Sequence, residues 1–259
     1  MRSRTLTISL AGLVLLLAAD RLLRRHPAVT VDVVAPPSTR RAPLPARTDP
    51  AVFGTPAGPS PGTQAAASRA LLDAAGSSVY LSAMFSETDS VIRRWTDADA
   101  DHLRIAFVID DLPGWTSADQ ELARSALTEW ERLGLGIRFT EVLDTTGAQI
   151  VVRWLPRFSF DRTGQADLKW DDQGRVRHAA IELALADKDG RPLPAEAKRA
   201  VALHEVGHAI GLPHSDRADD LMYPTTRGPV ISARDSATIR LLYRLPPSSI
   251  KWPAPTYTP

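Results

Sequence analysis

Residues 204–215 read HEVGHAIGLPHS, and this stretch decides the fold of the chain around it. On a helix, His204 and His208 lie four residues apart and project from the same face, so both imidazoles can reach one metal ion. Glu205 directly follows the first histidine, which puts its carboxylate beside the metal, where it can take a proton from a bound water. The pattern therefore predicts a helix that carries a metal site.

Gly211 marks the point at which this helix must end. Glycine adopts the left-handed conformation without a steric penalty, so the chain can turn sharply and bring His214 to the metal as a third ligand. Three protein nitrogens with one open position are typical of a catalytic zinc site, whereas structural sites are closed. Ordinary helix histidines and a degraded, inactive site are the alternatives, and the presence of Glu205 argues against the second.

The composition excludes several classes of protein. The 259 residues are 44% hydrophobic, which is enough for a folded core. Lys and Arg number 31 against 30 Asp and Glu, a balance that does not indicate a partner of nucleic acid. There is no cysteine, so disulfides, thiolate ligands and catalytic cysteines are excluded. Any metal must be held by nitrogen and oxygen atoms.

The N-terminal part of the chain precedes the main domain as a series of segments. An apolar run of about 14 residues, Leu6 to Ala19, follows Arg2 and Arg4, which is typical of a signal peptide or an N-terminal membrane anchor. We therefore expect an extracytoplasmic protein, secreted or anchored by this run. The predicted boundaries are 1–26 for the signal peptide or anchor, 27–63 for a Pro/Ala-rich linker, 64–98 for a helical lead-in or propeptide-like segment, 99–246 for the main domain and 247–259 for a tail.

The order of strand and helix patterns predicts an α/β (α+β) main domain. Thr116 or Ser117 can cap the first helix of this domain. Ser232 and Asp235 can form a capping box at the start of its last helix. Strands are predicted near 103–109, 137–142 and 148–154 and on either side of a turn at 171–174, and helices over about 118–133, 194–211 and 232–244.

The spacing H-E-x-x-H-x-x-G-x-x-H, followed by Leu221-Met222-Tyr223-Pro224, resembles the metzincin zinc metallopeptidases. Within them it resembles the matrixin branch, peptidase family M10, of the bacterial type without a cysteine switch. The resemblance covers roughly residues 99–245. It implies a twisted, mostly parallel sheet, an active-site helix behind it, a C-terminal helix and a substrate cleft.

The resemblance also assigns roles to single residues. His204, His208 and His214 would be the metal ligands, Glu205 the general base and acid, Met222 the hydrophobic floor of the Met-turn, and Gly211 the turn that ends the helix. The implied protein is a monomeric endopeptidase that hydrolyses an extended polypeptide through a zinc-bound water activated by Glu205. One catalytic zinc is expected. Calcium could also bind, but Asp171 and Asp187 occupy turns, where aspartate is common, so they assign no site.

Three departures from the matrixin pattern matter. Without cysteine, the thiol latch that keeps vertebrate matrixins latent is impossible. The other histidines of the main domain, His102 and His178, have no matching cluster for a second zinc, and we expect His178 at the surface or supporting a ligand. Thr225-Thr226-Arg227 replaces the tyrosine expected in the wall of the specificity pocket.

Two further functions stay open at this point. The chain could be a non-catalytic, zinc-stabilised binding module of the cell envelope. The Pro-rich linker would then set the distance over which the module can bind a partner. It could instead be a narrow processing peptidase with one target, for example its own 27–98 segment.

Overall fold

A computed structural model describes residues 60–82, 90–225 and 228–249. The predicted signal peptide or anchor, nearly all of the linker and most of the tail lie outside these residues. Among the helices that are described, none is long and apolar enough to cross a membrane.

The main domain alternates strands and helices much as the patterns predict. The helices are α1 (Pro61–Ala75), α2 (Asp97–Ala100), α3 (Ser117–Glu131), α4 (Ala195–Ala209) and α5 (Ala233–Arg244). The strands are β1 (Val91–Ile92), β2 (Leu103–Val108), β3 (Phe139–Glu141), β4 (Ile150–Leu155), β5 (Gly164–Trp170), β6 (Val176–Ala184) and β7 (Ser248–Ser249). Each predicted element is present with shifted ends, and α4 stops at Ala209, before the predicted Gly211.

Five strands form one sheet in the order β3-β2-β4-β6-β5. The first four are parallel, with Ile105 opposite Ile150 and Ile150 opposite Ala179. Strand β5 runs antiparallel to β6 and forms one edge of the sheet. The predicted mixed α/β fold with a mostly parallel sheet is therefore confirmed, and its single antiparallel strand lies at the edge nearest α4.

Helix α4 is held in place by two buried tryptophans. The indole N–H of Trp130, on α3, donates to the carbonyl of Leu203 at 3.0 Å. The indole N–H of Trp95 donates to the carbonyl of Ala209 at 2.8 Å, at the end of α4, where backbone carbonyls lack partners within the helix. Both rings are fully buried, so apolar packing and polar partners fix the same helix.

The lead-in packs on the domain behind it. Helix α1 begins after Ser60, whose side chain caps it, and Leu71 and Leu72 contact the core. Tyr80 and Leu81 are buried in the same core cluster as the sheet and α4. The core thus includes residues that precede the predicted boundary at 99. Removal of the lead-in as a propeptide stays a prediction.

Candidate active site

The three histidines of residues 204–215 converge. Each of His204, His208 and His214 offers a ring nitrogen, and these atoms all lie within 4.8 Å of one another. The Nε2 atoms of His208 and His214 are 3.2 Å apart. His204 and His208 come from successive turns of α4, while His214 comes from the loop that follows it.

Backbone carbonyls fix the orientation of two of these rings. The Nδ1 of His204 lies 2.7 Å from the carbonyl oxygen of Leu221, and the Nδ1 of His208 lies 2.8 Å from that of Leu212. A carbonyl can only accept, so each Nδ1 carries the proton and each Nε2 presents a lone pair to the centre of the cluster. Burial and the two neighbouring imidazoles lower the pKa of His208 to about 3, which keeps the ring neutral. A cluster of neutral imidazole nitrogens with fixed tautomers fits a zinc ion.

Gly211 provides the turn that brings His214 into the cluster. Its φ is +108°, a conformation that side-chain-bearing residues rarely adopt. A Cβ at this position would also lie 2.8 Å from the carbonyl oxygen of Arg93. The left-handed turn predicted from the sequence is therefore present, and it is required by both conformation and space.

Glu205 is buried beside the histidines, against the edge strand. A Cβ built on Gly164 of β5 would lie 2.5 Å from the carboxylate oxygen Oε1 of Glu205, so strand and carboxylate are in close contact. Burial raises the pKa of Glu205 to about 8, while Arg162 acts to lower it and Asp167 to raise it. A bound cation adds positive charge nearby and favours the ionised form. The geometry gives a carboxylate that can both take and release a proton.

Met222 is fully buried and packs against the helix that carries His204 and His208. Its thioether packs against Gly207 of α4, where any Cβ would overlap the methionine sulfur. Ser215 N–H donates to the Met222 carbonyl at 2.8 Å, which links the loop after His214 to the segment around Met222. Met222 forms an apolar support for α4, and its role as the floor of the Met-turn stays a prediction.

A model of the matrixin family, Peptidase M10, matches residues 101–244 of this chain, which is more than half of its length. The chain is a matrixin. It is accordingly a zinc metallopeptidase, and the converging histidines are the donor set that this assignment requires. No curated protein matches the chain at a significant level.

The matrixin has a cleft of about 890 Å³ above its histidine cluster. Strand β5 forms one wall, and the other side is formed by α4, the loop that carries His214, and Pro224 with Thr225. The cleft contains His204, Glu205, His208 and His214. Thr226 and Arg227, at the predicted specificity wall, lie outside the described residues.

A buried carboxylate that the sequence analysis missed supports the segment around Met222. Asp235 was predicted only as part of the cap of α5, a role that its bond from Ser232 N–H confirms. It also accepts from the Leu221 N–H at 2.8 Å and from the Tyr80 hydroxyl at 2.7 Å. The carbonyl of Leu221 in turn accepts from His204. Asp235 therefore links the lead-in to a metal ligand in the matrixin, and no local sequence pattern signals this.

The remaining predicted candidates lie apart from the cluster. His178 is on β6 opposite Lys169 of β5, and burial and the charge of Lys169 lower its pKa. In the described part of the matrixin, the triad is the only group of three or more residues arranged to hold a metal. Asp171 is engaged by Arg175 and Arg177, and Asp187 accepts backbone N–H groups of its own turn. Calcium binding stays a prediction.

Proposed function

We propose that this chain is an endopeptidase of extracytoplasmic polypeptides in which Glu205 is the general base and acid. The observation that carries the proposal is the buried carboxylate of Glu205 beside three converging imidazoles, in a cleft walled by a sheet edge. A non-catalytic binding module would not need a carboxylate with raised proton affinity at this place.

The proposed roles follow from the positions of the side chains. His204, His208 and His214 would hold the zinc, and Met222 supports the helix from which two of them project. When bound, zinc would acidify a water molecule and polarise the carbonyl of the peptide bond. Glu205 accepts a proton on its carboxylate as the water attacks and delivers that proton to the departing amine. Its burial supports this role because a poorly hydrated carboxylate binds a proton more readily.

Strand β5 supplies the proposed support for the substrate. Within the described residues it pairs only with β6, so its outer edge has free N–H and C=O groups along the cleft. An extended peptide can add to such an edge as a further strand. This mode of binding favours unfolded or extended polypeptides over compact domains.

The place of action is proposed from the sequence. The apolar run Leu6–Ala19 with its basic start supports export, followed by release or by anchoring at the membrane. A single physiological target, as for a processing peptidase, is compatible with the same site.

The full chain loaded with zinc should hydrolyse casein, and a chelator should abolish the activity. In Glu205→Gln the rate should fall at least about a hundredfold, because the general base is lost, while the zinc content per chain stays the same. Glu196→Gln is the matched control, since Glu196 is an exposed residue in the first turn of the same helix.

A Glu205→Gln protein that binds zinc and cleaves casein at the wild-type rate would contradict the proposed role. Zinc binding without cleavage of casein or of a peptide library by the wild type would favour the binding module instead.

A further inference from the structure

Arg93 and Trp170 form a stacked pair at one end of the cleft. The guanidinium carbon of Arg93 lies 3.6 Å from the centroid of the Trp170 ring, a close cation–π contact. Both residues line the cleft that contains the histidine cluster. Trp170 is the last residue of β5 and is 43% exposed.

In the part of the chain that the structure describes, the guanidinium of Arg93 has no partner of opposite charge. Within residues 60–82, 90–225 and 228–249 it forms no ion pair, and its Nε is buried without a hydrogen bond. Burial lowers the pKa of Arg93, which is the cost of an uncompensated charge. The adjacent Arg94 is different, since it donates to Leu245 and Trp95 carbonyls and to the Asp97 carboxylate.

The pair lies along the path of an extended peptide. Gly164, at the start of β5, contacts Glu205, and Trp170 is six residues further along the same strand, a span of about 20 Å. Arg93 approaches the other wall of the cleft, because its carbonyl lies against Gly211. A peptide paired with β5 would therefore pass Arg93 several residues away from the scissile bond, on one side only.

We propose that Arg93, held by Trp170, is a specificity-determining subsite for a side-chain carboxylate of the substrate. This inference rests on the proposed function. A planar guanidinium with a stacked face and free terminal N–H groups is suited to bidentate binding of a carboxylate. An aspartate or glutamate of the substrate would supply the hydrogen bonds and the negative charge that the protein leaves unfilled.

The test is digestion of N-acetylated, C-amidated peptides that carry one Glu, one Gln or one Lys at each position within six residues of the cleaved bond. The zinc-loaded full chain should prefer Glu over Gln at one distal position on one side by about tenfold in kcat/KM, as for a charge-assisted hydrogen bond. Arg93→Gln should abolish that preference, and Arg93→Glu should replace it with a preference for Lys. The difference should appear in KM with kcat retained, because the contact is remote from the reacting atoms.

Arg138→Glu is the matched control for Arg93→Glu, because both substitutions change the net charge by the same amount. Arg138 is exposed and precedes β3, at the opposite edge of the sheet. Arg138→Glu should leave the preference intact. Unchanged preference in Arg93→Gln, or no acidic preference in the wild type, would overturn the subsite while the proposed function stands.

A binding measurement separates the two proposals. Fluorescent Glu and Gln peptides are titrated onto zinc-loaded Glu205→Gln protein, with and without Arg93→Gln. If the wild type cleaves no peptide but Glu peptides bind in an Arg93-dependent way, the proposed function fails and the subsite stands. If neither cleavage nor such binding occurs, both are overturned.

Discussion

Gly164 illustrates how a residue without a side chain can govern the site. The edge strand passes so close to Glu205 that a Cβ at this position would meet Glu205 Oε1 at 2.5 Å and a Val201 methyl at 2.6 Å. Both are contacts that real Cβ atoms do not make, so one partner must move.

We expect Gly164→Ala to displace the Glu205 carboxylate and to lower kcat/KM by about ten- to a hundredfold, since small misplacements of catalytic groups are costly. Zinc content should stay at the wild-type value, because no metal ligand touches Gly164 in this way. Peptide hydrolysis and metal analysis of the same preparation measure both effects.

Gly147→Ala is the control for this substitution, because a Cβ there meets nothing within 4 Å. Wild-type kcat/KM in Gly164→Ala, with the fold intact by circular dichroism, would show that the close approach has no part in placing Glu205.

The residues that could be predicted are those with a short-range signal. The histidines and Gly211 occupy one helix and its end, so spacing alone brings them together. Gly164 and Asp235 depend on contacts with residues far away in the chain. Asp235 is buried by Tyr80, a partner 155 residues away, and a helix-cap pattern cannot indicate that second role.

At the scale of elements, α3 and α4 are joined by an ion pair. Lys198 of α4 donates to Asp119 of α3 at 2.7 Å, and their side chains are 19% and 5% exposed. Burial by itself would raise the pKa of Asp119, but the hydrogen bonds from Lys198 and Thr116 outweigh it and lower the pKa below the ordinary value.

When folding lowers the pKa of a carboxyl group, the ionised group stabilises the folded state. This contribution is fully present at pH values above the pKa of the group in the unfolded chain, which is about 4 for aspartate. We expect Asp119→Asn to lower the free energy of unfolding by about 1–3 kcal/mol at pH 7, less than for a fully enclosed pair because Lys198 keeps some contact with water. The difference from wild type should begin to shrink below about pH 4, where Asp119 of the unfolded chain becomes protonated, and should be lost as the pH falls through the lowered pKa of folded Asp119. Urea unfolding at several pH values measures it.

Asp219→Asn, at an exposed position, controls for the change in net charge. A difference between wild type and Asp119→Asn that stays constant from pH 7 to pH 3 would rule out ionisation of Asp119 as its source.

Elements with caps or periodicity were predictable, and the shortest ones were not. Thr116 and Ser232 are the N-cap residues of α3 and α5, as expected, because a capping pattern involves only neighbouring residues. Strands β1 and β7 contain two residues each, too few for any alternation to show. Their antiparallel pairing, Val91 with Ser249, joins the two ends of the domain, and its partners are defined only by the tertiary fold.

At the scale of the whole molecule, the lead-in contributes to the core. Tyr80, Leu81, Ile92 and Trp95 are at most 1% exposed. Each large apolar side chain that is buried contributes about 1.5–3 kcal/mol, against a total stability of about 5–15 kcal/mol for a domain.

We therefore expect a fragment of residues 60–259 to unfold cooperatively in urea and to bind zinc. A fragment of residues 99–259, which begins at the predicted boundary of the main domain, should show no cooperative transition because it lacks these four side chains. Circular dichroism and metal analysis of both fragments provide the measurement.

A separable propeptide predicts the opposite result for the shorter fragment. If residues 99–259 unfold with the same midpoint as residues 60–259, the lead-in is dispensable for folding and its packing is that of a removable segment.

The joining of both ends also has a consequence for biosynthesis. The Leu245 carbonyl accepts a hydrogen bond from Arg94, 151 residues earlier in the chain. Val91 likewise pairs with Ser249. A ribosome delivers the N-terminal partner first, so neither contact can form until residues 245–249 have emerged. Until then the chain lacks the contacts that hold the segment from Val91 to Arg94, and that segment carries Arg93, which lines the cleft.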